Sequence, residues 1–188
     1  NISRVNDSAA GYSPPRVFVD EQRRIMLSDP VKPDKASAFF PMGMYASTMG
    51  EDDFKRFGAS SFNAVMPYHE MNLTQMNWAE ANKIKVAYTI KDDYCGHSLS
   101  LVKCTNATNS SALPYDLQVI DAKIEAFRDH PALLLWYIND ELQLTQWHAE
   151  LTGHQYRLQQ LDRDHPSWAV LYEVGDMEGY MDTCDVIG

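Results

Sequence analysis

Short, nearly continuous apolar runs alternate with amphipathic stretches along most of this chain. The runs are Ala38 to Tyr45, Phe62 to Tyr68, Ile84 to Ile90, Ala132 to Ile138, Trp168 to Val174 and a final Val186-Ile187-Gly188. Runs of this length, rich in Val, Ile, Leu and aromatic residues, suit strands covered on both faces, as in a parallel sheet. Between them lie helical patterns at Asp52 to Phe57, Leu73 to Lys83, Leu117 to Phe127 and Leu142 to Leu161. In the third, Leu117, Ile120, Ile124 and Phe127 recur at three- and four-residue intervals, which makes one apolar stripe. Strand and helix alternating in this way predict an α/β fold around a parallel sheet. The first 35 residues lack the pattern. Arg16-Val-Phe-Val-Asp-Glu and Arg24-Ile-Met-Leu read there as a short hairpin, or as an arm from a preceding domain, and residues 36–188 form the main unit.

The strand ends choose the chemistry. No run leads into Gly-x-Gly-x-x-Gly or Gly-x-x-x-x-Gly-Lys, so a nucleotide-binding Rossmann or P-loop reading has little support. The ends carry aromatic and acidic residues instead: Tyr45; Tyr68-His69-Glu70; Lys91-Asp92-Asp93-Tyr94; Asn139-Asp140-Glu141; and Glu173. Aromatic faces stack on the C–H surfaces of pyranose rings, and carboxylates and amides hold hydroxyls, so the expected partner is a carbohydrate. Loop polar residues and rim aromatics without a ligand are the plain alternative. The sharpest of these segments is His130-Pro-Ala-Leu-Leu-Leu-Trp-Tyr-Ile-Asn-Asp-Glu141, an apolar strand that stops on two carboxylates. In parallel barrels the active site is built at the carboxyl edge of the strands, which gives Asn139, Asp140 and Glu141 a positional reason to be functional.

Composition narrows the class further. The chain has 188 residues, 45% of them hydrophobic, enough for one good core. A net charge of −10 argues against nucleic acid or an anionic membrane as partner, since both need clustered Lys and Arg. No apolar run approaches the roughly 20 residues of a membrane span. His148 and His154 are six apart, off helical ligand spacing, and the three cysteines form no Cys-x-x-Cys, so no metal or other cofactor is expected. A Gly-x-Ser-x-Gly elbow for an acyl-transfer serine is also lacking.

Five of the nine asparagines, Asn1, Asn6, Asn72, Asn106 and Asn109, stand in Asn-x-Ser/Thr triplets, which predicts an N-glycosylated protein of the secretory pathway. Cys95 and Cys104 bracket a short polar stretch and are candidates for a local disulfide, with reduced loop thiols as the alternative. Cys184 lies in an apolar segment and reads as a buried free thiol.

Residues 36–188 resemble the retaining (β/α)8-barrel glycoside hydrolases that include β-galactosidases and agarases. Phe39-Phe-Pro-Met-Gly-Met-Tyr45 resembles the first barrel strand of that clan and His130 to Glu141 its fourth. Asp162-Arg-Asp-His-Pro-Ser-Trp-Ala-Val170 resembles the approach to the fifth, and Asp185-Val-Ile-Gly188 the sixth. The resemblance implies a TIM barrel of which this chain covers about strands one to six. A whole barrel has eight strands and typically about 250 residues, so the rest would come from further polypeptide, a neighbouring domain or another chain.

The resemblance also implies a mechanism. The clan carries its acid/base glutamate at the end of strand four and its nucleophile at the end of strand seven. Glu141 matches the first, with Asn139 as the substrate-orienting amide; the second falls outside these residues. The clan's Asn and Glu are adjacent, whereas Asp140 intervenes here and stays a rival for Glu141. Strand alternation would put Asn139 and Glu141 on one side and Asp140 on the other. Trp136 and Tyr137 would supply the partly apolar surrounding that raises a general acid's pKa. The competing reading of Glu141 is an N-cap or first-turn acid of a helix starting near Leu142. Tyr45, Tyr68, His69, Asp92 and Glu173 are candidate substrate contacts. Two functions remain open: a secreted glycoside hydrolase acting on β-linked glycans, or a carbohydrate-binding or structural glycoprotein module that keeps the barrel without turnover.

Overall fold

The computed structural model describes residues 15–32, 35–93, 115–142, 148–171 and 177–187. Two sheets organise them. A small antiparallel sheet joins β1 (Val17–Val19), β2 (Ile25–Ser28) and β3 (Ala36–Ala38) in that order. A six-stranded parallel sheet follows in strict sequence order: β4 (Gly43–Ala46), β5 (Ala64–Pro67), β6 (Lys85–Thr89), β7 (Leu133–Leu142), β8 (Ser167–Leu171) and β9 (Val186–Ile187). Helices α1 (Glu51–Gly58), α2 (Leu73–Ala81), α3 (Tyr115–Phe127), α4 (His148–Leu161) and the short α5 (Met177–Tyr180) alternate with those strands. Parallel strands need such crossovers, because a tight turn cannot bring the chain back to the same end of the sheet.

The two faces of the sheet are packed differently. Phe54, Met76, Val86, Tyr88, Ile124, Trp136 and Ile138 belong to the larger core, which fills the space between strands and helices. Val17, Ala87, Leu134 and Leu135 form a second cluster on the opposite face, with Ile25, Leu27, Phe39, Met66 and Trp168 against it. The small sheet supplies Val17, Ile25 and Leu27, and the Val17 amide donates to the Asp164 carbonyl at 2.8 Å. It therefore seals the end of the second face where the parallel strands begin. Above this seal a cavity of about 410 Å³ opens, lined by residues from β4 through β9, including Tyr45, Met66, Ala87, Leu135, Trp168 and Ile187. Both outermost strands, β4 and β9, border the same cavity, so the sheet is strongly curved.

Close packing of β4 on β5 depends on Gly43. Its register partner is Ala64, and a Cβ on Gly43 would stand 2.2 Å from the Ala64 carbonyl oxygen. The run Ala38 to Tyr45, expected as one strand, is divided between β3 and β4. Pro41 has no N–H to give a ladder, and the connection is held by Asn63, whose side chain accepts from the Met42 amide at 2.7 Å and donates to the Phe40 carbonyl at 3.0 Å.

The stretch from Leu142 to Leu161 departs from expectation in another way. Glu141 and Leu142 belong to β7, and α4 is described only from His148, so Glu141 is not a first-turn helix acid. The register of β7 against β8 shifts between Tyr137 and Asn139 and again between Asn139 and Leu142. The strand nevertheless runs ten residues, with local irregularities of this kind bending it and raising its twist.

Candidate active site

Because β4 to β7 are parallel, the residues that follow or end each of them arrive at one edge of the sheet. Tyr45 comes from β4, Tyr68 and His69 from the turn after β5, Lys91 to Asp93 from a single 3-10 turn after β6, and Asn139 to Glu141 from the end of β7. The rings of Tyr45 and Tyr68 meet edge to face, with centroids 5.3 Å apart and planes at 70°. Tyr68 meets His69 in the same manner at 5.1 Å. Tyr45 is 50% exposed and Tyr68 38%, so both rings offer apolar surface, and Tyr45 also lines the cavity.

Lys91 lies against the Tyr68 ring. It is only 2% exposed, and its ammonium stands 4.1 Å from the centre of the Tyr68 ring and 5.9 Å from that of Tyr137. Cation–π contact of this kind is strongest where water is excluded. Nζ donates to Asp92 Oδ1 at 2.9 Å and faces Asp140 Oδ2 at 3.9 Å. Tyr137 is buried and stacks against Trp168 with centroids 4.9 Å apart. Burial, and after it the neighbouring Asp140 carboxylate, holds the Tyr137 phenol far above its ordinary pKa, so it stays a neutral hydroxyl. A second ionic group closes the flank: Lys123 on α3 pairs with Asp93 at 2.5 Å and with Glu70.

The predicted residues divide as follows. Tyr45, Tyr68, His69, Asp92 and Asp140 come together at the strand ends. Asn139 is buried on β7 in register with Ala169. The Asp140 carboxylate faces Lys91, and the strand register shifts on either side of Asn139. The backbone of Glu141 ends β7 at this edge, and its side chain lies outside the described residues, as do Glu173, Cys95, Cys104, Asn1, Asn6, Asn106 and Asn109. Asn72 is exposed and caps α2: its Oδ1 accepts from the Gln75 amide at 3.0 Å, while Gln75 Oε1 accepts from the Asn72 amide at 2.9 Å. Cys184 is a buried free thiol, as its apolar setting predicts.

Sequence reasoning assigned no role to Lys91, and to Tyr137 only that of an apolar neighbour of Glu141. The only signal for Lys91 was a cation opening the polar stretch directly after a buried strand. No group of three His, Cys, Asp or Glu among the described residues is placed to share a metal ion.

No family model and no curated protein matches the sequence. Solved structures do. A glycosyl hydrolase family 2 member from Bacteroides cellulosilyticus superposes with a TM-score of 0.62 at 15% identity, over 93% of this chain and 24% of that one. A β-glucuronidase from Parabacteroides merdae gives 0.58 at 12% identity, over 92% of this chain and 22% of its own. A putative β-galactosidase from Bacteroides fragilis gives 0.55 at 10% identity, over 93% and 25%. This chain thus spans about a quarter of the length of these enzymes. Likeness at such identities is likeness of fold: a glycoside-hydrolase-like α/β arrangement with a six-stranded parallel sheet. None of the described helices is long and apolar enough to cross a membrane.

Proposed function

We propose that these residues form the first six strands of a (β/α)8 barrel belonging to a secreted glycoside hydrolase that cleaves β-linked glycans with retention. The observation that carries this reading is the meeting of Tyr45, Tyr68, Lys91 and Asp140, from four successive parallel strands, at the edge where such barrels act. The cavity bordered by both β4 and β9 supports barrel closure by further strands. Glu141, at the end of β7, is the acid/base, and Asn139 orients substrate. Asp140 is engaged with Lys91 and serves binding. Retaining hydrolysis needs a second carboxyl group about 5–5.5 Å from the first, and that nucleophile comes from polypeptide outside these residues. The five sequons support passage through the secretory pathway.

A non-catalytic carbohydrate-binding module is the second reading. It draws on Asn72, whose exposed position two residues after Glu70 would set a glycan near the rim of the same edge. The test is Glu141→Gln in the full-length protein, assayed on natural β-linked oligosaccharides. General acid catalysis contributes about 10²- to 10⁴-fold, so turnover should fall by that factor with substrate binding largely kept. Equal turnover in variant and parent would refute Glu141 as acid/base. Binding without turnover in the parent would select the second reading.

A further inference from the structure

An ammonium group has three protons to donate, and among the described residues Lys91 has one hydrogen-bond acceptor, Asp92 Oδ1 at 2.9 Å. A second direction is taken by the Tyr68 ring. Asp140 Oδ2, at 3.9 Å, is an ionic neighbour beyond hydrogen-bond reach. A nearly fully buried lysine with a donor left over, facing a carboxylate across such a gap, is a site built for a third group. An oxygen that sits about 2.8 Å from each subtends roughly 90° between them, which suits a hydroxyl accepting one bond and donating another. We infer that Lys91 and Asp140 together bind one hydroxyl of a neutral β-linked sugar, which accepts from Nζ and donates to the Asp140 carboxylate, beside the exposed rings of Tyr45 and Tyr68. This rests on the carbohydrate reading given above and adds the class of sugar.

Charge selects the neutral sugar. Glu70, Asp92, Asp93 and Asp140 put four carboxylates around the two ammonium groups of Lys91 and Lys123. A sugar acid would bring a further anion into a site where carboxylates are already in excess, at a cost that grows as water is excluded. Both ammonium groups already have carboxylate partners, Lys91 in Asp92 and Lys123 in Asp93 and Glu70. The site should therefore disfavour uronic acids, the substrates named for several of the structural neighbours.

The experiment uses the full-length protein with 4-nitrophenyl β-D-galactoside, glucoside, mannoside and glucuronide, then monodeoxy analogues of the best neutral glycoside. Hydrogen bonds to charged groups are worth enough to change kcat/KM about 10- to 100-fold. One deoxy position should show that loss in the parent. In Lys91→Met and in Asp140→Asn the natural glycoside should lose a similar factor, and removing the same hydroxyl should then cost little further. A merely structural role would lower activity equally on every analogue and leave the discrimination intact, and that result would overturn the inference. Thermal unfolding of each variant, with Lys91→Arg as a charge-preserving control, separates loss of the contact from loss of the fold. Preference for the glucuronide would overturn the neutral-sugar assignment and leave the hydrolase reading standing. Failure of the parent to bind or cleave any of these glycosides would overturn both.

Discussion

Replacing Asp162 by Ala should destabilise the protein by about 3–5 kcal/mol, because the carboxylate is the shared acceptor of a buried network. Its Oδ2 accepts from Trp136 Nε1 at 2.8 Å and pairs with His165 Nδ1 at 2.9 Å, and its Oδ1 accepts from the Asp164 amide at 2.8 Å. Trp136 is fully buried, and the Asp162 and His165 side chains are each 2% exposed, so water does not replace the lost acceptor without reorganisation. Each stranded donor costs about 1–3 kcal/mol. Asp162→Asn keeps one acceptor oxygen but turns an amide toward donors, and should cost less, about 1–3 kcal/mol. Domains are stable by only about 5–15 kcal/mol, so the Ala variant sits near the limit of folding. With a urea m-value of about 1–3 kcal/mol/M, the unfolding midpoint should fall by about 1 M or more. The pH dependence has a fixed sign. Burial pushes the Asp162 pKa up, but the hydrogen bond and charge of His165, with the bonds from Trp136 and the Asp164 amide, outweigh it and hold the carboxyl below its ordinary 3.8. The stabilisation is thus complete above that value and is lost as pH falls through the lower folded-state pKa. The difference between parent and Asp162→Asn should therefore shrink as the solution is made acid. An unfolding free energy for Asp162→Ala within about 0.5 kcal/mol of the parent would refute the argument, since that is the size of an ordinary surface change.

Gly43→Ala should lower the melting temperature, with a cost of about 1–3 kcal/mol for overpacking, because the new methyl would lie 2.2 Å from the Ala64 carbonyl oxygen; unchanged thermal unfolding would contradict this. Burial, above all, pushes the Cys184 thiol up to about 11, so at pH 8 a disulfide reagent should leave it unmodified in the native protein and label it fully in urea, as read by peptide mapping. Asn72→Ala removes the cap and half of the reciprocal Asn72–Gln75 pair of α2, for a loss of about 0.5–2 kcal/mol. If Asn72 carries a glycan, its Oδ1 can still cap while Nδ2 is modified, and protein secreted from eukaryotic cells should lose the mass of one glycan in Asn72→Gln.

What the sequence disclosed follows from how each element is stabilised. β5 to β7 were legible because both faces are covered, so Val86 to Tyr88 and Leu133 to Ile138 are apolar without alternation. Helix α3 was legible because Ile120 and Ile124 point to one core from a polar background. The small sheet was legible only as a hairpin. Ala36–Ala38 is exposed along its length, and its pairing with β2 leaves no hydrophobic period. The end of β7 misled for a related reason: Glu141-Leu142 continues smoothly into a helical pattern, and nothing local reveals that register shifts against β8 prolong the strand. Lys91 and Asp140 are 49 positions apart in the chain (140 − 91), and no spacing rule links them. What joins them is that β6 and β7 are adjacent and parallel, a tertiary fact.

The two edges of the parallel sheet differ in what their polar groups have left to give. At the edge where strands begin, contacts close on themselves. Lys85 Nζ donates to the Pro131 carbonyl at 2.6 Å, His130 meets Asn77 at 3.0 Å, and Arg16 pairs with Asp129 at 2.8 Å. Asp185 Oδ2 accepts both the amide and the hydroxyl of Ser167, whose Oγ accepts in turn from the Asp185 amide. These groups fasten loops to strands, and the small sheet covers part of the same end. At the opposite edge the Lys91 ammonium keeps a donor in reserve, Asp140 stands off at 3.9 Å, and two tyrosine rings remain open beside them. Burying a charge without completing its hydrogen bonds costs stability. Among the described residues, then, the polar groups of one edge are satisfied and those of the other keep capacity for binding, which a ligand oxygen would complete.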